Sequence, residues 1–434
     1  TSKTDPTGPQ LSEFLVMAPD GPKSHNIGGH SYNWKSYAQN GWNWAENAKS
    51  FLTANADGSF TRVEYIGEKL IVEKYSSDFR PGSVSSLSPE LPLFGGFFSG
   101  AKYNFVVWGQ ENPDYSDEVE VVRVVKYDKS WNRLGSCSFF GKNTYIPFEA
   151  GSLSMDESGG KLFIHTSHKM YASSDGVNHQ ANLTFFIDEE TMQSLYENYS
   201  VSNISTGYSS HSFNQIVRSD GAYVYTADHG DAYPRSIVLV KRSLSGSPKT
   251  YDNVLAIKGS FGDNVTKATL GDMRLSDGNV LTVGTSVKQD DSYDDRSQKN
   301  VFLAASSKDD LTLKSFLWLT GYEESDSVTV CNPYLVKTAA NRFVALWEEY
   351  AGSGNYLKCA VIDGSGNLIS SLSLGEDTDE GLSDCAPVVS GGNIVWYTTG
   401  SRSDNWWSLQ DAAPNFYRLP AGMSFAAITR QPSD

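Results

Sequence analysis

Three short stretches bring together side chains that can exchange protons. They are His165-Thr-Ser-His168 with His179-Gln180 after it, His211-Ser-Phe-Asn214-Gln215, and Asp228-His229-Gly230-Asp231-Ala232-Tyr233-Pro234-Arg235. A neutral imidazole can take a proton and a phenol can give one. An arginine beside them can hold a carboxylate and stabilise a developing enolate. This inventory suits β-elimination on a uronate-containing polysaccharide, with His211 or His229 as base, Tyr233 as acid and Arg235 on the substrate's negative group. With Asp231 as acid/base it also suits glycoside hydrolysis. His165, His168 and His179, with Asn214 and Gln215, would then bind substrate. Trp42, Trp44, Trp406 and Trp407 offer indole faces for stacking on sugar rings.

The same residues allow a metal reading. His165, His168, His229 and Asp231 could hold Zn²⁺ or Mn²⁺, although their spacing matches no recognised metal motif. The acidic pairs Asp290-Asp291 and Asp294-Asp295 could hold Ca²⁺ or simply form a solvated loop. Each histidine also has a plainer reading, in which it satisfies backbone groups where structural units meet. The run from Asp231 to Arg235 could be a rigid turn, and the tryptophans could plug a seam. Five histidines in two adjacent units favour a site.

Composition narrows the classes. The chain has 434 residues, 35 Lys and Arg against 51 Asp and Glu, a net charge of −16, and 12% aromatic residues. A chain this aromatic and this modestly charged folds. The negative balance argues against a general nucleic-acid binder, which needs cationic surface to displace counterions. No apolar run approaches the ~20 residues of a membrane-spanning helix. The opening TSKTDPTGPQ lacks Met and reads as the start of a processed chain. Abundant Ser, Gly, Asn, Tyr and Trp with little Lys predict a secreted or cell-surface location. Cys137, Cys331, Cys359 and Cys385 are widely spaced with no CxxC, which predicts free thiols rather than a structural zinc site.

The elements that must position these residues are strands. Helical periodicity is nearly absent, and short β-rich runs recur between Gly, Asp and Asn turns. A tight turn followed by a strong apolar strand repeats seven times, with second strands beginning near Phe60, Tyr103, Lys161, Ala222, Asn279, Arg342 and Asn393. Seven units of ~40–60 residues, each of four antiparallel strands, predict an all-β, seven-bladed β-propeller. Two β-sandwiches are the competing reading. Residues 1–49 form an N-terminal segment, and 50–434 form the propeller as a single domain with it. The ring would be closed by a strand in SEFLVMAP (12–19) or in MSFAAI (423–428). With strands A to D numbered from the axis outward, every histidine falls on the face that carries the B–C loops and D–A crossovers. Long B–C loops are expected in blades 2, 3, 5 and 7. That elaborated face, and the channel mouth on it, is the expected binding surface.

The stretch 90–400 resembles uncharacterised secreted or surface propeller proteins of Firmicutes-type bacteria. The resemblance rests on ELPLFGGFFSG, VVRVVKYDKSWNRLGSCSFFGKNTYIPFEAGSL, HTSHKMYASSDGVNHQANLTFFID, YSSHSFNQ and DHGDAYPR. It implies no established activity. In architecture the chain also resembles seven-bladed polysaccharide lyases, whose motif spacing it does not reproduce, so no catalytic role carries over from them. The expected partner is a polysaccharide or other glycan, met by a monomer acting as an enzyme or as a non-catalytic adhesion module. A protein-interaction platform is a third reading.

Overall fold

The computed structural model describes residues 14–17, 45–200, 204–291, 294, 297–352, 354–376, 382–383, 385–398 and 414–422. Seven antiparallel sheets follow one another in chain order. Blade 1 comprises Ser50–Ala54, Phe60–Ile66, Lys69–Tyr75 and Pro81–Leu87; blade 2 comprises Leu93–Ser99, Asn104–Gly109, Glu120–Tyr127 and Arg133–Phe140. Blade 3 has Ser154–Ser158, Lys161–Ala172, Asn178–Asp188 and Ser194–Asn198, and blade 4 has Ser212–Ser219, Tyr223–Asp231, Arg235–Ser243 and Pro248–Ala256. Blade 5 has Ala268–Leu275, Asn279–Ser286, Asn300–Ser307 and Leu313–Trp318. Blade 6 has Thr329–Ala339, Arg342–Ala351, Gly354–Asp363 and Leu368–Glu376. The second strands begin within one residue of the positions that the turn pattern predicts.

Blade 7 is assembled from both ends of the chain. Val388–Ser390, Asn393–Thr398 and Asn415–Pro420 form three strands, and Leu15–Met17 adds the fourth against Asn415–Pro420. The N-terminal candidate therefore closes the ring; the 423–428 candidate lies outside the described residues. Phe416 of blade 7 stacks on Phe79 at 4.6 Å and meets Tyr75 edge-on at 4.8 Å. This seam between the first and last blades is thus apolar and aromatic, as it is between other neighbours. Phe139 of blade 2 stacks on Phe185 of blade 3 at 3.8 Å.

Tight A–B turns follow from glycine. Gly159-Gly160 and Gly391-Gly392 all take positive φ, which only glycine adopts at little cost and which two-residue hairpins require.

Each innermost strand is a sheet edge, and its free N–H groups need acceptors. Between blades 3 and 4 the preceding blade supplies them at every second residue. Ser152 Oγ accepts from Gln215 N at 2.9 Å, Ser154 Oγ from Val217 N at 3.1 Å, and Asp156 Oδ2 from Ser219 N at 2.7 Å. Asp272 does the same for Leu335 N in the next pair of blades, at 3.0 Å. The inner strands thereby line an axial cavity of about 480 Å³. Arg218, Asp272 and Arg274 pair within it. Ala45, just before blade 1, donates its N–H to Phe213 O of blade 4 at 2.8 Å, so the entering chain crosses the channel mouth.

Candidate functional site

Blade 3 departs from the expected plan. Its B–C connection is not a long loop but a long hairpin, with only 173–177 between Lys161–Ala172 and Asn178–Asp188. A short strand, Thr144–Pro147, pairs with the far end of that hairpin, beyond the innermost strand. His165, His168 and His179 consequently lie in strands. Side chains of a strand alternate between its faces, so residues three apart point to opposite sides. His165 faces blade 4, where Nε2 meets Asp228 Oδ2 at 2.9 Å, while Nδ1 meets Thr184 Oγ1 of the neighbouring blade 3 strand at 2.7 Å. His168 faces the other way and contacts Thr144 Oγ1 at 2.6 Å through Nδ1. These two cannot share a metal ion.

His229 is also fully buried, and it sits in a strand of blade 4. Its Nε2 meets Thr266 Oγ1 at 2.9 Å, and Phe213 stands edge-on to the ring. Burial pushes both His168 and His229 down to about 3, so both rings are neutral and inaccessible. Among the described residues no group of three His, Cys, Asp or Glu side chains lies close enough to hold a metal ion, which removes the proposed His165, His168, His229 and Asp231 cluster. Of the acidic pairs, Asp291 is exposed beside Lys258 at 2.9 Å, while Asp295 lies outside the described residues. All four cysteines are free thiols.

Arg235 has a structural task. Its guanidinium donates to the carbonyls of Asp231, Lys258, Asp263 and Val265 at 2.6–3.1 Å and is buried. These bonds clamp the 258–265 crossover to the end of the blade 4 hairpin, and leave Arg235 unavailable to a substrate carboxylate. Asn214 and Gln215 are similarly occupied. Asn214 Nδ2 donates to Leu270 O at 2.6 Å, and Gln215 Nε2 donates to Ser212 O at 2.6 Å while its Oε1 accepts from Ser152 N at 2.7 Å. They tie blades together along the axis rather than awaiting a sugar. Trp42, Trp44, Trp406 and Trp407 lie outside the described residues.

What the fold does bring together is His211, Asp231, His179 and, unforeseen in the sequence, Asp175. The crossover into blade 4 runs alongside the start of strand Asn178–Asp188. Asn182 N donates to Ser209 O at 3.1 Å and His211 N donates to Gln180 O at 2.7 Å, with Ala181 and Ser210 bridged between them. This zipper sets His211 against His179. The rings are nearly parallel, 5.7 Å between centroids, with His179 Nδ1 and His211 Nε2 3.4 Å apart. His179 Nε2 donates to Asp175 Oδ2 at 2.7 Å. On the other side His211 Nδ1 lies 2.8 Å from Asp231 Oδ1, an ion-pair contact whose angle is too poor for a hydrogen bond. Asp231 is fully buried, and among the described residues neither of its carboxylate oxygens has a hydrogen-bond partner. His211 itself has φ +47°, a left-handed conformation that costs a non-glycine residue energy and often marks a functional position.

An aromatic shelf stands beside this row. Tyr233 is 62% exposed and Phe261 is 65% exposed, and their rings pack at 5.0 Å. Tyr233 O accepts from Ser210 N, and Asp231 O accepts from Gly262 N, so the shelf is built on the residues flanking His211 and Asp231. Tyr115, Tyr145 and Tyr171 form a second cluster on the blade 2 side, where Asn178 Nδ2 donates to Tyr115 Oη at 2.9 Å. The sequence signals for these were present but weak. Phe261 is a large apolar residue inside GSFGDN, and Asp175 sits four residues before His179 in an SSDG turn.

No protein-family model matches the chain, and no curated protein is detectably similar to it. Among solved structures it is similar to a polysaccharide lyase at 8% identity and TM-score 0.47, covering 88% of this chain and 92% of that one. It is similar to an uncharacterised protein from Listeria monocytogenes at 9% identity and TM-score 0.43, covering 85% and 95%. An endo-arabinase from Bacteroides thetaiotaomicron aligns at 11% identity and TM-score 0.33, covering 87% and 97%. At these identities the likeness is one of fold alone.

Proposed function

We propose that this propeller is a glycan-binding protein whose binding surface is the B–C/D–A face of blades 3 and 4. The observation that carries this reading is the Tyr233–Phe261 pair. Two large rings, each more than half exposed, are held by rigid backbone beside a row of imidazole and carboxylate groups. Sugar rings present C–H faces that stack on such surfaces and hydroxyls that such a row can bind. The acidic chain and the saturation of Arg235 favour a neutral glycan over a uronate. The uronate-lyase constellation read from the sequence loses two members, because His229 is sealed in the core and Arg235 is a clamp.

A catalytic reading keeps one observation in its favour. His211 is partly exposed and backed by a buried carboxylate, the arrangement that orients an imidazole as a general base. A polysaccharide panel separates the two, with binding followed by affinity electrophoresis and turnover by reducing ends and by the absorbance of unsaturated uronates. Retention of one or more glycans without turnover is the expected result. Turnover that vanishes in His211→Asn would instead make the protein an enzyme, and no retention of any glycan would overturn both. Tyr233→Ala and Phe261→Ala should each weaken retention by up to about tenfold, the worth of one aromatic stacking contact.

A further inference from the structure

We propose that His179 and His211 form a binding site for a divalent transition-metal ion, held between His179 Nδ1 and His211 Nε2. The proposal does not depend on the glycan reading.

A carboxylate only accepts, so the nitrogen facing it carries the proton. Asp175 therefore fixes the proton of His179 on Nε2. A bare nitrogen lone pair 2.8 Å from a carboxylate oxygen is repelled, so the Asp231 contact, though not a hydrogen bond, favours the proton of His211 on Nδ1. In the neutral rings this leaves two bare lone pairs facing each other across 3.4 Å. Two acceptors at that distance repel unless something positive lies between them. Two ligands about 2.0–2.1 Å from a tetrahedral metal ion are themselves about 3.3–3.4 Å apart, which matches the gap.

The surroundings agree. Metal-binding histidines commonly give their other N–H to a carboxylate, which orients the ring and raises its basicity; His179 does so with Asp175, and His211 sets Nδ1 2.8 Å from Asp231 Oδ1. The two carboxylates and two neutral imidazoles carry a charge of −2, which a divalent cation balances. Among the described residues no lysine or arginine forms an ion pair with either carboxylate. Asp231 in particular is buried, and among the described residues His211 is its one ion-pair contact. Nitrogen ligands select Zn²⁺ and its neighbours over Ca²⁺ or Mg²⁺. Among the described residues His179 and His211 are the side chains that meet at the gap, and their rings are 34% and 23% exposed. Water or a ligand hydroxyl would complete the coordination.

The test uses the full chain, stripped with a chelator and titrated with zinc chloride by calorimetry, with cobalt(II) as a visible-absorption probe. One Zn²⁺ per chain is expected. His179→Asn and His211→Asn should each weaken uptake more than tenfold; asparagine tolerates the left-handed backbone at 211, which protects the fold. Asp175→Asn, at the surface, should weaken it about tenfold through the outer shell. His168→Gln should leave it unchanged. No zinc uptake, or uptake equal in wild type and the His179→Asn/His211→Asn double variant, overturns the proposal. So does an NMR titration in which the two rings share a proton as pH falls and do not respond to zinc, since a proton would then fill the gap.

Discussion

At the scale of single residues, the chain spends three of its five described histidines on packing. His165 is hydrogen-bonded at both nitrogens, while His168 and His229 are neutral because burial holds them at about 3, far below the ordinary histidine value. A depressed histidine contributes stability that is fully present above the unfolded value near 6.5 and is lost as pH falls from there towards 3. Each of the two should cost roughly 1 kcal/mol per pH unit over that range. Urea midpoints between pH 7.5 and 4.5 should therefore fall, and His168→Gln should flatten the slope by about half. Arg235 makes a sharper case. Arg235→Ala strands four carbonyls and should lower stability by about 3 kcal/mol, read as a shift in urea midpoint. Arg235→Lys should recover little of it, because an ammonium cannot span carbonyls from four residues as the planar fork does.

At the scale of elements, the edge-capping ladder between innermost strands is the device most open to test. Ser152→Ala with Ser154→Ala removes the acceptors of Gln215 N and Val217 N. The double variant should lose about 2–4 kcal/mol, and those two amides should exchange hydrogen faster while the outer strands of blade 4 stay protected. The elements also explain what the sequence could and could not reveal. Gly-rich turns before apolar strands placed every second strand to within a residue, because turn chemistry is local. The extended hairpin of blade 3 was hidden, since HTSHKMYA carries polar residues in a strand that has neighbours on both sides. Its period of two was nevertheless legible, and it alone separates His165 from His168. The His179–His211 meeting was half legible. Both residues were singled out, but their contact depends on the crossover zipping along Asn178–Asp188, a long-range pairing with no local signature. Arg235 deceived for a related reason, as three of its four acceptor residues lie in a crossover more than twenty residues away.

At the scale of the whole molecule, the acidic balance acquires a partial account. Cationic side chains are drawn inward: Arg62 is fully buried between Glu64 and Glu73, Arg242 is buried against Tyr196 and backbone carbonyls, and Arg218 pairs with Asp272 inside the ring. A surface left net negative suits a neutral ligand or a bound cation better than a polyanion. Ring closure should be the global determinant of stability. Val16 packs with the cluster that joins blades 7 and 1, so Val16→Asp should lower stability by about 2 kcal/mol and loosen that seam first. Hydrogen exchange in Asn415–Pro420 would report it, and unchanged protection there would count against the closing role of Leu15–Met17.

The same closure sets a schedule for folding. Leu15 pairs with Tyr417, which leaves the ribosome about 400 residues later. At roughly 5–20 residues per second, Leu15–Met17 waits on the order of 20–80 s for its partner. Blades 1 to 6 can be completed from contiguous sequence in that time, whereas the edge of blade 7 cannot. Until the last strand is made, then, the nascent chain carries an unpaired β-segment ahead of blade 1, the kind of segment that chaperones hold and that pairs with the wrong edge when nothing holds it.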